Sequence, residues 1–153
     1  ASDAQRIEGI VLRYGLFYGP HNPATEQMVA LVRRRLLPVV RGDQGLLPCI
    51  HIDDAVSATV AAVDRGSPGN VYDIVDDRPV SMSEIVKAIA EYSGAPAPFA
   101  VPAWLPRLLA PYLASVTSLR LPLSNAKARA ELGWQPRFST WRDGLSKMLA
   151  RAA

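Results

Sequence analysis

Gly9-Ile10-Val11-Leu12-Arg13-Tyr14-Gly15-Leu16-Phe17-Tyr18-Gly19-Pro20 is the stretch on which the fold turns. Its apolar run, Ile10-Val11-Leu12, predicts a strand buried on both faces, as strands are inside a parallel sheet. The strand gives way at Arg13-Tyr14-Gly15 to a loop that Gly19-Pro20 closes. A buried parallel strand opening into a glycine- and aromatic-rich loop sits where α/β sheets bind ligands, outside the carboxyl ends of their strands.

Upstream, residues 1–8 read as the tail of a helix, so the chain is expected to begin in mid-architecture. Downstream, Thr25 is placed to cap a helix running to about Leu36, with apolar residues at helical spacing, until Pro38 stops it. Val39-Val40 is a short extended segment, residues 41–45 are a turn, and Leu46 to Ile52 is extended. Asp53-Asp54 then begins a helix in which either aspartate can cap, and Val56, Val60 and Val63 are its expected inner stripe. Val71 to Val75 is the second strong strand. Ser81 and Glu84 have capping-box spacing ahead of a helix that ends at Gly94. Residues 95–123 are proline-rich and predict short interrupted helices, in which Trp104, Leu105, Leu108, Leu109, Tyr112 and Leu113 pack. Ser124 and Ser139 are placed to cap the last two helices.

Bulk composition narrows the field. The chain has 153 residues, 49% hydrophobic and 20% charged, with a net charge of +3, values that suit one ordinary globular domain. No basic run is interleaved with stacking aromatics, so nucleic acid is not indicated. Arg33-Arg34-Arg35, the only cationic cluster, reads as a solvated helix end. The single cysteine, Cys49, excludes an internal disulfide framework and fits a reducing compartment. No uncharged apolar run approaches membrane-spanning length, and a cytoplasmic location is the expectation.

Two strong strands and two weaker ones, set against five or six helices, do not complete a doubly wound sheet. Central parallel strands need neighbours on both sides and helices on both faces. The chain therefore reads as part of a larger α/β domain.

Four segments in order resemble the C-terminal half of an extended short-chain dehydrogenase/reductase, the NAD-dependent epimerase/dehydratase family. They are Leu12-Arg13 with Tyr18-Gly19-Pro20; Ile50-His51-Ile52-Asp53-Asp54-Ala55; Gly69-Asn70-Val71-Tyr72-Asp73-Ile74; and Ala126-Lys127-Ala128 with Glu131-Leu132-Gly133-Trp134-Gln135-Pro136 and Asp143-Gly144-Leu145. The resemblance implies an α/β fold over residues 1–153. It would be a single partial domain, made of the last strands of an incomplete Rossmann-type parallel sheet and a mostly helical substrate-binding region. It implies that Tyr14, Gly15 and Leu16 face the cofactor. Leu16, Tyr18, Met28, Val39, Arg41, Leu47 and Arg120 would face the substrate. The glycine-rich dinucleotide turn is absent, and no tyrosine is followed four residues later by lysine. No catalytic or metal-binding residue is therefore assigned. NAD or NADP is implied for a full-length parent, with none expected to bind this chain alone. The missing N-terminal half, a small-molecule substrate and a second copy of the chain are the implied partners, without membrane or nucleic acid.

Two departures bear on the substrate. Nucleotide-sugar members carry asparagine where this chain has Leu16 and often arginine where it has Leu47. Two leucines remove the charge-assisted contacts that a diphosphate needs, while Arg41 and Arg120 remain as anion contacts.

Each singled-out residue also has a plainer reading. Cys49, His51 and Asp53 would share one face of an extended segment, which suggests a nucleophile or a metal site; a structural histidine beside a helix cap is the better reading. Tyr18 either meets substrate or packs its loop, Trp134 and Trp141 read as core, and His21 as exposed. Three functions stand side by side: an inactive half of an epimerase, dehydratase or reductase; a non-catalytic small-molecule-binding module; and a helical protein-interaction module derived from the same fold.

Overall fold

Gly15 is where the chain changes partners. Before it, β1 (Val11–Tyr14) runs parallel to β5 (Val71–Ile74), with Val11 opposite Val71 and Tyr14 opposite Ile74. After it, β2 (Leu16–Tyr18) runs parallel to β4 (Cys49–His51). The switch is made by two adjacent amides: Gly15 donates to the Ile74 carbonyl at 3.1 Å and Leu16 to the Pro48 carbonyl at 2.8 Å. Only glycine fits, because a Cβ at position 15 would lie 2.7 Å from the Pro48 oxygen. A third parallel pair joins β3 (Val39–Val40) to β6 (Ala100–Val101). The computed structural model describes residues 9–109 and 119–150; the helix tail expected over 1–8 and the packing expected of Tyr112 and Leu113 lie outside them.

Six helices are described. In α1 (Pro23–Arg33) the cap is Asn22, whose side chain accepts from the Thr25 amide, and Pro23 takes the first turn, where it has no amide to lose. Thr25, the expected cap, is instead buried inside the helix. α2 (Ile52–Arg65) is capped by His51, whose Nδ1 accepts from the Asp53 amide at 3.2 Å, rather than by an aspartate. Asp54 turns inward and receives the amides of Arg137 and Phe138 at 2.9 and 3.0 Å, which commits its carboxylate to a distant loop. The expected capping box forms at α3 (Met82–Tyr92) between Ser81 and Glu84. α4 (Trp104–Leu109), α5 (Ala126–Leu132) and α6 (Trp141–Ala150) follow. Ser124 accepts the Ala126 amide, but the cap position of α5 is Asn125, whose side chain makes no capping bond, and the start of α6 is held by a reciprocal Thr140–Asp143 pair and not by Ser139.

The core has two parts. One lies among α1, α3, α6 and β4, around Val32, Cys49, Val86, Ile89, Trp141 and Leu145. The other lies between α2, α5 and the β1–β5 pair, around Ile50, Ala58, Tyr72, Ile74, Leu132 and Trp134. Trp134 and Trp141 are thus core residues, as expected.

Four further expectations are corrected. β1 is not buried on both faces: Val11 is 53% exposed, because among the described residues only β5 pairs with it. α2 is turned the other way round, with Ala55, Ala58, Ala61 and Ala62 buried while Val56, Val60 and Val63 are 60, 55 and 79% exposed. Alanines facing inward let the helix lie close to the strands, a steric gain that a reading by hydrophobicity alone overlooks. Trp104 and Leu108, expected to pack, are 62 and 73% exposed. The extended segment at 46–52 is also shorter than expected: Leu46 and Leu47 form single bridges, to Arg120 and Val80, and strand pairing begins at Cys49.

Candidate functional site

The partner switch at Gly15 creates an edge at the carboxyl end of β1. Tyr14 anchors it, its hydroxyl 2.6 Å from the Thr59 hydroxyl on α2. The amides of Gly15 and Leu16 are already bonded inside the fold. What these residues present outward is therefore surface, with the Leu16 and Phe17 side chains exposed. The Leu16–Pro48 bond places the edge next to Leu46-Leu47-Pro48. Leu46 in turn donates to Leu119 and accepts from Leu121, which brings Arg120 alongside. The Arg120 guanidinium is held by the Gln44 backbone and side-chain oxygens, both at 3.0 Å.

Tyr14, Gly15, Leu16, Leu47 and Arg120 are thus linked through one hydrogen-bonded strip. Arg41 is exposed on the turn leading into it, and its amide bonds to Val101. Val39 is buried in β3, Leu47 is buried beside Val80, and Met28 lies half-buried on α1 in contact with the first core. Exposed Leu16, Phe17, Leu46, Leu119 and Leu121 give the strip an apolar character.

Tyr18 goes inward. Its hydroxyl donates to Asp76 Oδ2 at 3.0 Å, and burial, followed by the Asp76 charge, raises its pKa. Asp76 is itself buried, its other carboxyl oxygen has no partner, and burial pushes it up to about 7. Sequence reasoning missed this residue; the signal available was a paired aspartate directly after a strand. Cys49 is buried with its thiol pushed up to about 12 by the same desolvation, so it is not a thiolate at neutral pH. His51 is 3% exposed and lies 4.3 Å, centroid to centroid, from the Phe138 ring. Its pKa is lowered, chiefly by burial. Among the described residues no group of three or more His, Cys, Asp or Glu could hold a metal. His21 is exposed, as expected.

A nicotinamide cofactor, which the family implies, would find only part of a site in these residues. The strip offers an apolar edge, but among the described residues no glycine-rich turn stands at a helix N-terminus to receive a pyrophosphate.

Parallel strand pairs covered by helices, a strand-end edge after β1 and the closing helices α5 and α6 define a class. The chain has the fold of the C-terminal half of an extended short-chain dehydrogenase/reductase of the NAD-dependent epimerase/dehydratase type. It is 38% identical over 144 residues to a Streptomyces protein described as a 3-diazoavenalumate denitrifying reductase, covering 92% of this chain and 47% of that protein. It superposes on a human epimerase family protein solved with NADPH, with a TM-score of 0.76 and 18% identity over 92% of this chain and 48% of that one. It also superposes on a double mutant of dTDP-glucose 4,6-dehydratase from Streptomyces venezuelae solved with NAD, with a TM-score of 0.72 and 20% identity over 96% and 44%. No family model matches the chain. The chain spans about half the length of each of these proteins. Among the described residues no helix is long and apolar enough to cross a membrane.

Proposed function

We propose that this chain is the substrate-binding half of an NAD(P)-dependent reductase acting on a hydroxyl- or carbonyl-type small molecule, and that it is inactive by itself. The observation that carries this reading is the strip at the partner switch, where Leu16 is exposed and Leu47, buried beside Val80, directly precedes the Pro48 carbonyl that accepts the Leu16 amide. Two aliphatic side chains at these positions give a diphosphate no cation and no amide donor, and they suit an apolar substrate. The relative that shares 38% identity supports reductase chemistry, and its described substrate is not a nucleotide sugar. Arg120, steadied by Gln44, and Arg41 are the cations at this strip that remain for an acidic group on the substrate. Tyr14, Gly15 and Leu16 form the cofactor-facing edge in this reading. The remaining substrate-facing positions are Val39 and Met28, with Tyr18 behind them.

The hydride-transferring cofactor and the acid/base tyrosine would come from an N-terminal half that pairs with β1 and covers the valines of α2. The outer edge of β1, unpaired among the described residues, and the exposed Val56, Val60 and Val63 support that placement.

A chimera tests the proposal. The part of the Streptomyces reductase that this chain does not match, fused ahead of this chain, is expected to bind NADPH and oxidise it when given that enzyme's substrate. The 153-residue chain alone is expected to do neither. Micromolar NADPH or NADH binding by the isolated chain in calorimetry overturns the assignment of roles. So does a folded chimera that binds NADPH and never turns over. The non-catalytic reading, a binding module without chemistry, is the one left standing by that second outcome.

A further inference from the structure

A concavity lies away from this strip, between α1 and α6. It encloses about 760 Å³, within the usual range for small-molecule sites. Four cations border it: Arg33 and Arg34 from the end of α1, Arg137 from the loop before α6, and Lys147 from α6 itself. Among the described residues none of the four side chains has a carboxylate partner; the Lys147 ammonium lies only over the Phe138 ring, at 5.5 Å. Glu26 and Asp53 also border the cavity, which leaves cations in excess by two. Arg33 and Arg34 are exposed, as the sequence reading expects of a solvated helix end, and they border this concave surface.

The floor of the cavity carries an independent observation. His51 lines it and is 3% exposed. Its Nδ1 accepts from the Asp53 amide, so in the neutral ring the proton sits on Nε2. That N–H has no acceptor among the described residues. Gly19 keeps the ring edge uncovered: a Cβ at that position would come 3.2 Å from Nε2 and 3.0 Å from the Ile52 side chain. The ring lines the cavity, and an anion there would supply the acceptor that Nε2 lacks. Apart from His21, the rest of the wall is apolar, with Val29, Ala30, Phe138 and Met148 contributing side chains.

We propose that this cavity binds a small organic anion bearing a phosphate-like group on an apolar body. Its charge would be held by Arg33, Arg34, Arg137 and Lys147, and an oxygen would accept from His51 Nε2. The site is built entirely from this chain's residues and does not rest on the reductase reading. Its chemistry differs from that of the strip at Gly15: four cations border this cavity, where the strip is leucine-rich with Arg41 and Arg120 beside it.

Two probes separate charge from body, inorganic pyrophosphate and naphthyl phosphate, each titrated calorimetrically into the 153-residue chain at low salt. Both are expected to bind, naphthyl phosphate the tighter. Lys147→Gln and Arg137→Gln are each expected to weaken both probes about tenfold, since charge-assisted bonds to phosphate are the strong ones. Val29→Ser is expected to weaken naphthyl phosphate and leave pyrophosphate unchanged. Arg78→Gln, an exposed cation outside the cavity, is the control and is expected to change neither. Thermal midpoints of all variants accompany the titrations, and the surface positions are expected to keep the parent value. Absence of binding by both probes at about 10 mM, a range of affinity worth only some 3 kcal/mol, overturns the proposal. An equal loss in Arg78→Gln also overturns it, because it shows a diffuse field rather than a site.

Discussion

Replacing Asp76 by asparagine should change how the stability of this protein depends on pH, more than it changes stability at any one pH. The carboxyl is buried, one oxygen accepts from Tyr18 at 3.0 Å, and the other has no partner. Burial is the largest cause of its rise from 3.8 to about 7, and the Tyr18 hydrogen bond partly opposes the rise. Because the folded state holds this proton more tightly than the unfolded chain, stability is highest below the unfolded pKa. It is then lost as pH rises through the folded one. At 1.36 kcal/mol per pKa unit the interval from 3.8 to about 7 corresponds to roughly 4 kcal/mol. Asparagine does not titrate, but it sets an amide N–H₂ where the unpartnered oxygen stood, at a cost of about 1–3 kcal/mol. The variant should therefore be the less stable protein near pH 4 and the more stable one above about pH 8, with the two curves crossing between. Urea unfolding followed by fluorescence of the buried Trp134 and Trp141 reads both ends of the range. Tyr18→Phe removes the opposing hydrogen bond and should steepen the loss with pH. A gap between parent and Asp76→Asn that is the same near pH 4 and near pH 8 refutes the reasoning, since it means that this carboxyl does not titrate across the window.

Asp54→Asn keeps one acceptor for two amides, that of Phe138 buried and that of Arg137 part-buried; it should cost about 1–3 kcal/mol, read from the denaturation midpoint, and a neutral result would mean that the loop holds without it. Val56, Val60 and Val63 are exposed on α2, so changing all three to lysine should shift stability by no more than about 0.5 kcal/mol each while reducing self-association in light scattering; a collapse of the thermal transition would show the valines to be packed. His51 has a pKa lowered chiefly by burial, so it adds stability above the ordinary histidine range that is lost as pH falls through that range. In the Asp76→Asn background this acid-side loss should be the larger remaining slope near pH 6, and a flat profile there would count against a neutral buried ring.

The histidine shows why parts of the candidate site escaped sequence reading. The segment Cys49-Ile50-His51-Ile52-Asp53-Asp54 was legible as a strand running into a helix, and as a family motif. Which residue capped the helix was not, because aspartate is the better cap by propensity and histidine a poor one. Asp54 was unavailable for that role, since its carboxylate is bonded to backbone more than eighty positions away. β2 was missed for a related reason: three residues are too few to show a period of two, and only pairing with β4 makes them a strand.

The sequence by itself determined the α/β class, the two principal strands, the capping box at Ser81 and the ordered motifs of an epimerase/dehydratase C-terminal half. Those signals are local, carried by spacing and by turn chemistry within a dozen residues. Tertiary structure alone decided the rest. It turned α2 to bury alanine rather than valine, because backbone approach rewards small side chains where hydrophobicity scales reward large ones. It buried Asp76 against Tyr18, and it set α6 beside α1 so that four cations border one cavity around His51. Each of these joins residues tens to over a hundred positions apart, and burial, the quantity that shifts their chemistry, is a property of the packed chain rather than of any segment in it.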